Sequence, residues 1–207
     1  AAELRVLGAL VEKQITTPDY YPLSLNALTN ACNQLTNREP VVAYDEQEVL
    51  RALERLRDKR LATVFAGAES RVAKYKHTLT DRLLLTPAET ALLTVLILRG
   101  PQTVGELRTR AERLFAFDTL AETEETLNTL AARQPQPLVA KLPRQPGTKE
   151  SRYAQLLSGP PAPSGDAPTS TAPASAAAAT DGDRLTRLEQ ELADLKREFA
   201  EFRKQFE

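Results

Sequence analysis

The sequence predicts a mainly α chain with small β-hairpins, an α+β class. Its layout reads as two tandem winged-helix domains, a flexible linker and a C-terminal coiled-coil helix. Three observations predict it. The tripeptide Glu-Ser-Arg occurs twice, as Glu69-Ser70-Arg71 and Glu150-Ser151-Arg152, and each copy closes a string of three helical segments and a hairpin. Between Ser158 and Asp183 the composition collapses to Pro, Ala, Ser, Thr and Gly. Beyond that stretch apolar residues recur three and four apart without a break. The expected divisions are a first winged-helix domain over 1–80, a second over 81–158, a disordered linker over 159–182 and a coiled-coil helix over 183–207. The competing reading is an all-helical domain with short hairpins.

Each element has a local cause. Leu4, Leu7, Leu10 and Val11 recur at helical spacing and predict a first helix over residues 3–14. After a loop with Pro18 and Pro22, Ser24 caps a second helix with the stripe Leu25, Leu28 and Cys32. Asp45-Glu46-Gln47-Glu48 has the form of a capping box, and opens a third helix expected to pack through Val49, Leu50, Leu53 and Leu56. Residues 61–66, a turn at Gly67 and residues 71–77 read as a hairpin. The second copy repeats the order. Thr86-Pro87-Ala88-Glu89, Thr103-Val104-Gly105-Glu106 and Thr119-Leu120-Ala121-Glu122 open its three helices, and Pro135 and Pro137 end the last. Residues 138–142, a turn around Pro146-Gly147 and residues 151–157 supply the second hairpin.

After the linker, which has too little apolar surface to offset the entropy of ordering, come Leu185, Leu188, Leu192, Leu195, Phe199, Phe202 and Phe206. They form the a and d positions of a seam. With Leu185 at a, the g residues Arg184, Glu191 and Glu198 oppose the e residues Glu189, Lys196 and Arg203 in sign. That pattern predicts a parallel homodimer. The alternative is a helix docking on its own domains.

Composition removes several function classes. Basic and acidic residues nearly balance, 27 against 28. Residues 1–80 hold 11 Lys/Arg and 10 Asp/Glu, residues 81–158 hold 10 and 9, and residues 159–207 hold 6 and 9, so any basic face is local. No apolar run approaches the ~18 residues of a membrane span, and no signal-peptide pattern is read at the start. The single cysteine forms no internal disulfide, which suits a cytoplasmic protein. With no methionine present, the native start is expected to lie upstream of Ala1 unless the initiator was removed.

No enzyme is expected. Cysteine–histidine catalysis needs a thiolate beside a base, and Cys32 lies on the apolar stripe of its helix while His77 is read as a solvated strand end. One Cys and one His make no usual zinc site, and no glycine loop cradles a phosphate. No metal, cofactor, membrane partner or small-molecule substrate is indicated.

The nucleic-acid reading rests on the third helix of the first module, where a helix-turn-helix places its reading helix. Opposite the core face stand Arg51 and Arg55, with Glu48 and Asp58 beside them; Lys59 and Arg60 follow, and the wing adds Arg71, Lys74 and Lys76. Arginines suit guanine edges and lysines suit phosphates. Acids alternate with these bases, however, as on an ordinary solvated helix. In the second module Glu122, Glu124 and Glu125 occupy the equivalent helix, with no base before Arg133. Its second helix carries Arg108, Arg110 and Arg113, suited either to phosphates or to pairing with Glu106 and Glu112. The first module alone has a long loop, Asn33-Gln34-Leu35-Thr36-Asn37-Arg38-Glu39-Pro40-Val41. Asn33, Gln34, Asn37, Arg38 and Glu39 suit either a self-bracing loop or a recognition surface.

The chain resembles the uncharacterised YceH-like bacterial family at Thr16-Thr17-Pro18, Tyr21-Pro22-Leu23-Ser24, Ala31-Cys32-Asn33-Gln34 and Thr36-Asn37-Arg38-Glu39-Pro40-Val41. The match continues at Arg71-Val72, Lys74-Tyr75, Leu98-Arg99-Gly100, Gly105-Glu106-Leu107-Arg108 and Glu150-Ser151-Arg152-Tyr153, and covers roughly residues 2–159. The resemblance implies two winged-helix domains, no established activity and no catalytic residues. The chain departs from the family at Ala66-Gly67-Ala68-Glu69, in place of a more glycine-rich turn, and at the proline-rich Pro143-Arg144-Gln145-Pro146.

The expected function is a cytoplasmic, dimeric tandem winged-helix protein that binds DNA in a regulatory role. The alternative is a protein–protein adaptor that binds no nucleic acid, as the ScpB-like chromosome-segregation proteins use tandem winged helices. The charge pattern over Arg51, Arg55 and the first wing separates them: continuous positive charge favours DNA, and interrupting acids favour a protein.

Overall fold

A computed structural model describes residues 1–65, 72–144, 147–148 and 150–159. The first Glu-Ser-Arg copy with Arg71, the linker beyond Gly159, and the seam from Leu185 to Phe206 lie outside the described residues. Among the described residues the chain has a mixed α+β fold of seven α-helices and two small antiparallel sheets. The first half contains α1 (Ala2–Thr16), β1 (Leu23–Ser24), α2 (Leu25–Cys32), α3 (Glu46–Asp58), β2 (Ala62–Phe65) and β3 (Lys74–His77). A short helix, α4 (Leu79–Leu83), leads to the second half: α5 (Pro87–Arg99), α6 (Val104–Ala111), α7 (Leu120–Ala132), β4 (Val139–Lys141) and β5 (Tyr153–Gln155). The order of three helices and a hairpin therefore recurs.

Helix starts fall where the caps stand, because a cap satisfies backbone N–H groups only three residues away. Ser24 accepts from the Ala27 N–H at 3.3 Å. Asp45 with Glu48, Thr86 with Glu89 and Thr103 with Glu106 all close reciprocal capping boxes. The fourth box form is only half made. Thr119 accepts from the Glu122 N–H at 3.1 Å, but the Glu122 carboxylate accepts from the Asp118 N–H at 2.9 Å instead.

Packing explains the composition of α1 and α5. Residues Arg5 to Glu12 of α1 and Glu89 to Leu98 of α5 are buried without interruption. A helix apolar all round must be covered on all sides. Here α1 packs on α2, α3 and α5 at once, and α5 packs on α1, α6 and α7. The two helices meet at Gly8, where a Cβ would stand 2.7 Å from Ile97 Cγ2 and 2.8 Å from Leu98 Cδ2. One buried apolar cluster runs from Val6 to Tyr153, so residues 1–159 belong to a single compact unit. No helix among the described residues is long and apolar enough to cross a membrane.

Three local expectations need correction. Leu50 does not pack: it is 37% exposed, while Val49, Leu53 and Leu56 are buried. At about 100° per residue it sits a quarter-turn off the stripe those three define. The two-residue strand β1 was not anticipated; it pairs with β3 through Leu23↔Tyr75 and gives a three-stranded sheet in the order β1-β3-β2. His77 is not solvated. It is 5% exposed, its Nε2 meets Gln14 Oε1, and its Nδ1 accepts from the Leu79 N–H at 3.3 Å. On β3 the side chains alternate, so Tyr75 and His77 face the core while Lys74 and Lys76 do not.

Both ring nitrogens of His77 are thus used by the neutral imidazole, with Nε2–H donating to Gln14. Burial lowers its pKa from 6.5 to about 4, against a smaller raising influence from Asp81. Because the folded pKa is depressed, the unfolded chain binds the extra proton between these values, and stability is lost as pH falls through that window. Between pH 6.5 and 4 the wild type should lose roughly 3 kcal/mol more than His77→Gln. Urea unfolding across that range measures it, and equal slopes for the two proteins would remove the buried neutral histidine from the account.

Candidate functional site

The proposed reading face of α3 is built as its sequence dictates. Arg51, Glu54 and Asp58 fall opposite Val49, Leu53 and Leu56, and all three are exposed. Arg55 and Lys59 turn to one flank, toward α1. There the Glu3 carboxylate meets Arg55 at 3.8 Å and also pairs with Lys59. Both cations keep more than half of their side-chain surface, 70% and 58%. The pairs are therefore solvent-screened, and each contributes at most about 1 kcal/mol. They still set the charge of the face.

Arg60 ends the helix in the left-handed region, with φ of 56°, and its carbonyl accepts from the Thr78 hydroxyl at 2.8 Å. Glu54, Arg57, Asp58 and Arg60 line one groove of about 690 Å³ with Thr63 and Thr78, so carboxylates and guanidiniums share it. On the wing, Lys76 lies 5.9 Å from the centre of the Phe65 ring. Lys74 is half-buried beside it, and Arg71 is outside the described residues.

The loop after α2 is a clasp. Arg38, expected on a recognition surface, has a side chain that is 0% exposed. Its Nη1 and Nη2 donate to the Glu12 carboxylate at 3.2 and 2.5 Å, its Nε and Nη2 to the Ala31 carbonyl at 3.1 and 2.9 Å, and Nη2 also reaches Gln34 Oε1 at 3.0 Å. Asn33 brackets the far end of the loop, donating to the Tyr44 carbonyl at 2.7 Å and accepting its N–H at 2.9 Å. Asn37, at φ 61°, accepts from Arg99 of α5, and the Glu39 N–H donates to the Leu98 carbonyl at 2.9 Å. Arg5 donates to the Cys32 and Pro40 carbonyls at 3.1 and 2.5 Å. Burial first and then Arg38 lower its pKa. The side chains of Asn33, Gln34, Asn37 and Arg38 thus join the loop to itself or to α1 and α5, while Glu39 is tied by its backbone N–H and keeps an exposed side chain. Buried charges need partners: Arg38 and Glu12 pair with each other, whereas Arg5 is held by two backbone carbonyls.

Cys32 is fully buried in the same region, and burial pushes its thiol up to about 12, which removes the thiolate a nucleophile needs. Among the described residues no group of three or more His, Cys, Asp or Glu converges as metal ligands would.

In the second half Arg108 and Arg110 of α6 pair within the protein, as does Arg113, which was expected on that helix but lies two residues beyond its end at Ala111. Arg108 donates to the Phe117 and Asp118 carbonyls at 3.2 and 3.1 Å. Arg110 pairs with Glu106 at 3.6 Å, whereas Arg113 pairs with Glu12 of α1 at 3.6 Å and not with Glu112. Arg152 of the second Glu-Ser-Arg bridges to the Pro101 carbonyl at 2.9 Å and to Glu106 at 3.2 Å, bracing the second hairpin against the start of α6. Beside it a groove of about 310 Å³ opens between the start of α6, the start of α7 and the second hairpin. Sequence reading missed it. The signals available were an exposed leucine at a helix start and the run of acids after it.

A family model described as "Protein of unknown function, DUF480" matches residues 1–148. A UPF0502 protein of Opitutus terrae is 56% identical over 194 residues, covering 94% of this chain and 81% of its own. UPF0502 proteins of Citrifermentans bemidjiense and Solibacter usitatus are 57% and 54% identical, covering 92% and 100% of this chain and 86% and 97% of theirs.

Proposed function

Because the chain belongs to the DUF480 family, with UPF0502 proteins as relatives and no activity established for them, we propose its function from geometry. It is a non-enzymatic, cytoplasmic protein–protein adaptor built on tandem winged helices and dimerised through its C-terminal seam. The observation that carries this reading is the state of the α3 cations. Arg55 and Lys59 are paired to Glu3, and Arg57 and Arg60 share their groove with Glu54 and Asp58. Phosphates approaching that face meet carboxylates, whereas a protein surface of mixed charge finds complements. On α7, Glu122, Glu124 and Glu125 repel a nucleic-acid backbone as well.

DNA binding is the second reading, favoured by the exposed Arg51 and by Lys74 and Lys76 pointing off the sheet. One comparison separates the two. The tagged full chain, incubated in nuclease-treated cell lysate, should retain a protein partner in stoichiometric amount. Fluorescence anisotropy on random duplex at low salt should show no binding at micromolar protein. Duplex binding that weakens steeply with salt and with Arg51→Ala, with no protein retained, would reverse the assignment.

A further inference from the structure

We propose that β2 pairs edge to edge with β2 of a second copy of this chain, joining two three-stranded sheets into one across a two-fold axis. The inference rests on the dimer of the proposed function and adds where the two copies meet. In the order β1-β3-β2, β2 is an outer strand. Its outward hydrogen-bonding groups follow from the ladder it makes with β3. The Thr78 N–H donates to the Leu61 carbonyl at 3.0 Å, next to the pair Ala62↔His77, so Leu61 and Thr78 form a hydrogen-bonded pair. Bonded and non-bonded pairs alternate along an antiparallel ladder. His77 obeys the alternation: its N–H turns away from β2 and donates to the Tyr21 hydroxyl at 2.8 Å. Ala62 and Val64 therefore aim their N–H and C=O groups outward. Among the described residues, the Val64 carbonyl meets there the hydroxyl of the adjacent Thr63, at 3.5 Å.

The other sheet edges among the described residues are guarded. β1 has two residues and follows Pro22. β4 lies between Pro137 and Pro143 and ends in Lys141. The outer side of β5 is closed by Gln102, which exchanges backbone bonds with Tyr153 at 3.0 and 2.7 Å. Short strands, prolines, lysines and covering segments are the usual protections of an edge. From Leu61 to Phe65, β2 carries no charge and no proline, and its Thr63, Val64 and Phe65 favour pairing.

The strand also complements itself. With the axis at Thr63, Ala62 stands opposite Val64 of the second copy, and their outward groups exchange hydrogen bonds on both sides of the axis. Leu61 falls opposite Phe65 and Thr63 opposite Thr63, so apolar meets apolar and no charge meets its like. The groove along this edge is walled by Glu54 and Asp58 and by Arg57 and Arg60. A rim of one sign would repel its own copy, whereas this balanced rim offers each charge a complement. A short strand edge falls below the roughly 1,200 Å² of a free-standing interface. A dimerising seam on the same chain offsets that, holding the second copy at an effective concentration on the order of millimolar.

Disulfide trapping in the full chain tests the pairing. Opposed residues of a non-hydrogen-bonded pair have Cα atoms about 4.5 Å apart, within disulfide reach. With Cys32→Ala as background, Thr63→Cys should form an intermolecular disulfide under mild oxidation, read on a non-reducing gel. Phe65→Cys is the control. Phe65 is exposed, but in this register it faces Leu61 and stands well beyond disulfide reach of its own copy. Its yield should be about tenfold lower or less. Adding Val64→Pro to Thr63→Cys removes an outward N–H that β3 does not use, a place where an edge strand tolerates proline. The cross-link should then fall about tenfold, with the melting temperature showing that the chain still folds. A chain that sediments as a dimer but gives no Thr63→Cys cross-link overturns the edge pairing and leaves the dimer reading standing. Equal yields from Thr63→Cys and Phe65→Cys overturn it too. Loss of the lysate partner from Val64→Pro, with no Thr63→Cys cross-link, assigns the edge to a partner's strand and refutes self-pairing. A full chain that sediments as a monomer refutes the dimer itself.

Discussion

Gly8→Val is expected to destabilise the protein by about 3 kcal/mol or more, and to separate unfolding into two steps. Overfilling a packed interior costs about 1–3 kcal/mol, and this contact is tighter than most. The first added carbon would stand 2.7 Å from Ile97 Cγ2, 2.8 Å from Leu98 Cδ2 and 2.9 Å from Leu98 Cγ. Both neighbours lie on α5, whose residues Glu89 to Leu98 are buried without a break and cannot retreat into solvent. Valine also brings a branch that crowds the preceding helical turn. Gly8→Ala should be milder, because a helix-propensity gain of about 1 kcal/mol opposes the clash. Since Gly8 joins the first helices of the two halves, the valine variant should lose their coupling as well as stability. Chemical denaturation followed by far-ultraviolet dichroism reads both effects. A valine variant as stable as wild type would mean that α1 and α5 do not pack this closely.

Removing one partner of the Glu12–Arg38 pair is the second large effect. Arg38→Ala leaves Glu12, 4% exposed, with the largely exposed Arg113 at 3.6 Å as its remaining ion-pair partner. Glu12→Ala leaves a guanidinium that is 0% exposed without its counter-charge. Breaking a buried pair in this way costs about 3–5 kcal/mol. Arg38→Lys should not rescue, because an ammonium cannot hold Glu12, Ala31 and Gln34 at once in the planar fork that arginine uses. The double variant Glu12→Leu/Arg38→Met should be more stable than either single alanine variant, since no orphan charge remains. Thermal unfolding of the wild type and the four variants ranks them, and Glu12→Ala/Arg38→Ala closes the cycle with the two single alanine variants. If Arg38→Ala kept wild-type stability, the loop would return to being a candidate recognition surface.

The sequence carried its local information well and its distant pairings badly. Ser24, Asp45, Thr86, Thr103 and Thr119 were legible as helix starts, because a cap and its N–H lie within one turn. Leu50 misled because it neighbours three buried residues in sequence while facing another way round the helix. His77 misled for a different reason: its burial comes from Gln14, which is 63 residues away. Of the candidate site, the exposed Arg51 and the off-sheet Lys74 and Lys76 stand where the helix and strand periods put them. Arg38 does not, because nothing local marks an arginine whose carboxylate partner is 26 residues distant. The groove beside Leu120 was equally hidden, being assembled from α6, α7 and a hairpin that meet only on folding.

By itself, then, the sequence determined the repeated order of helices and hairpins, their capped starts, and the near-cancellation of charge. Those follow from backbone hydrogen bonding and side-chain period, which act over a few residues. Only the tertiary structure decided which charges remain available to a partner. Glu3 claims Arg55 and Lys59 from 52 and 56 residues away, and Glu12 claims Arg38 and Arg113. Desolvation makes a buried charge such as Glu12 or Arg38 depend on a complement that only the fold supplies.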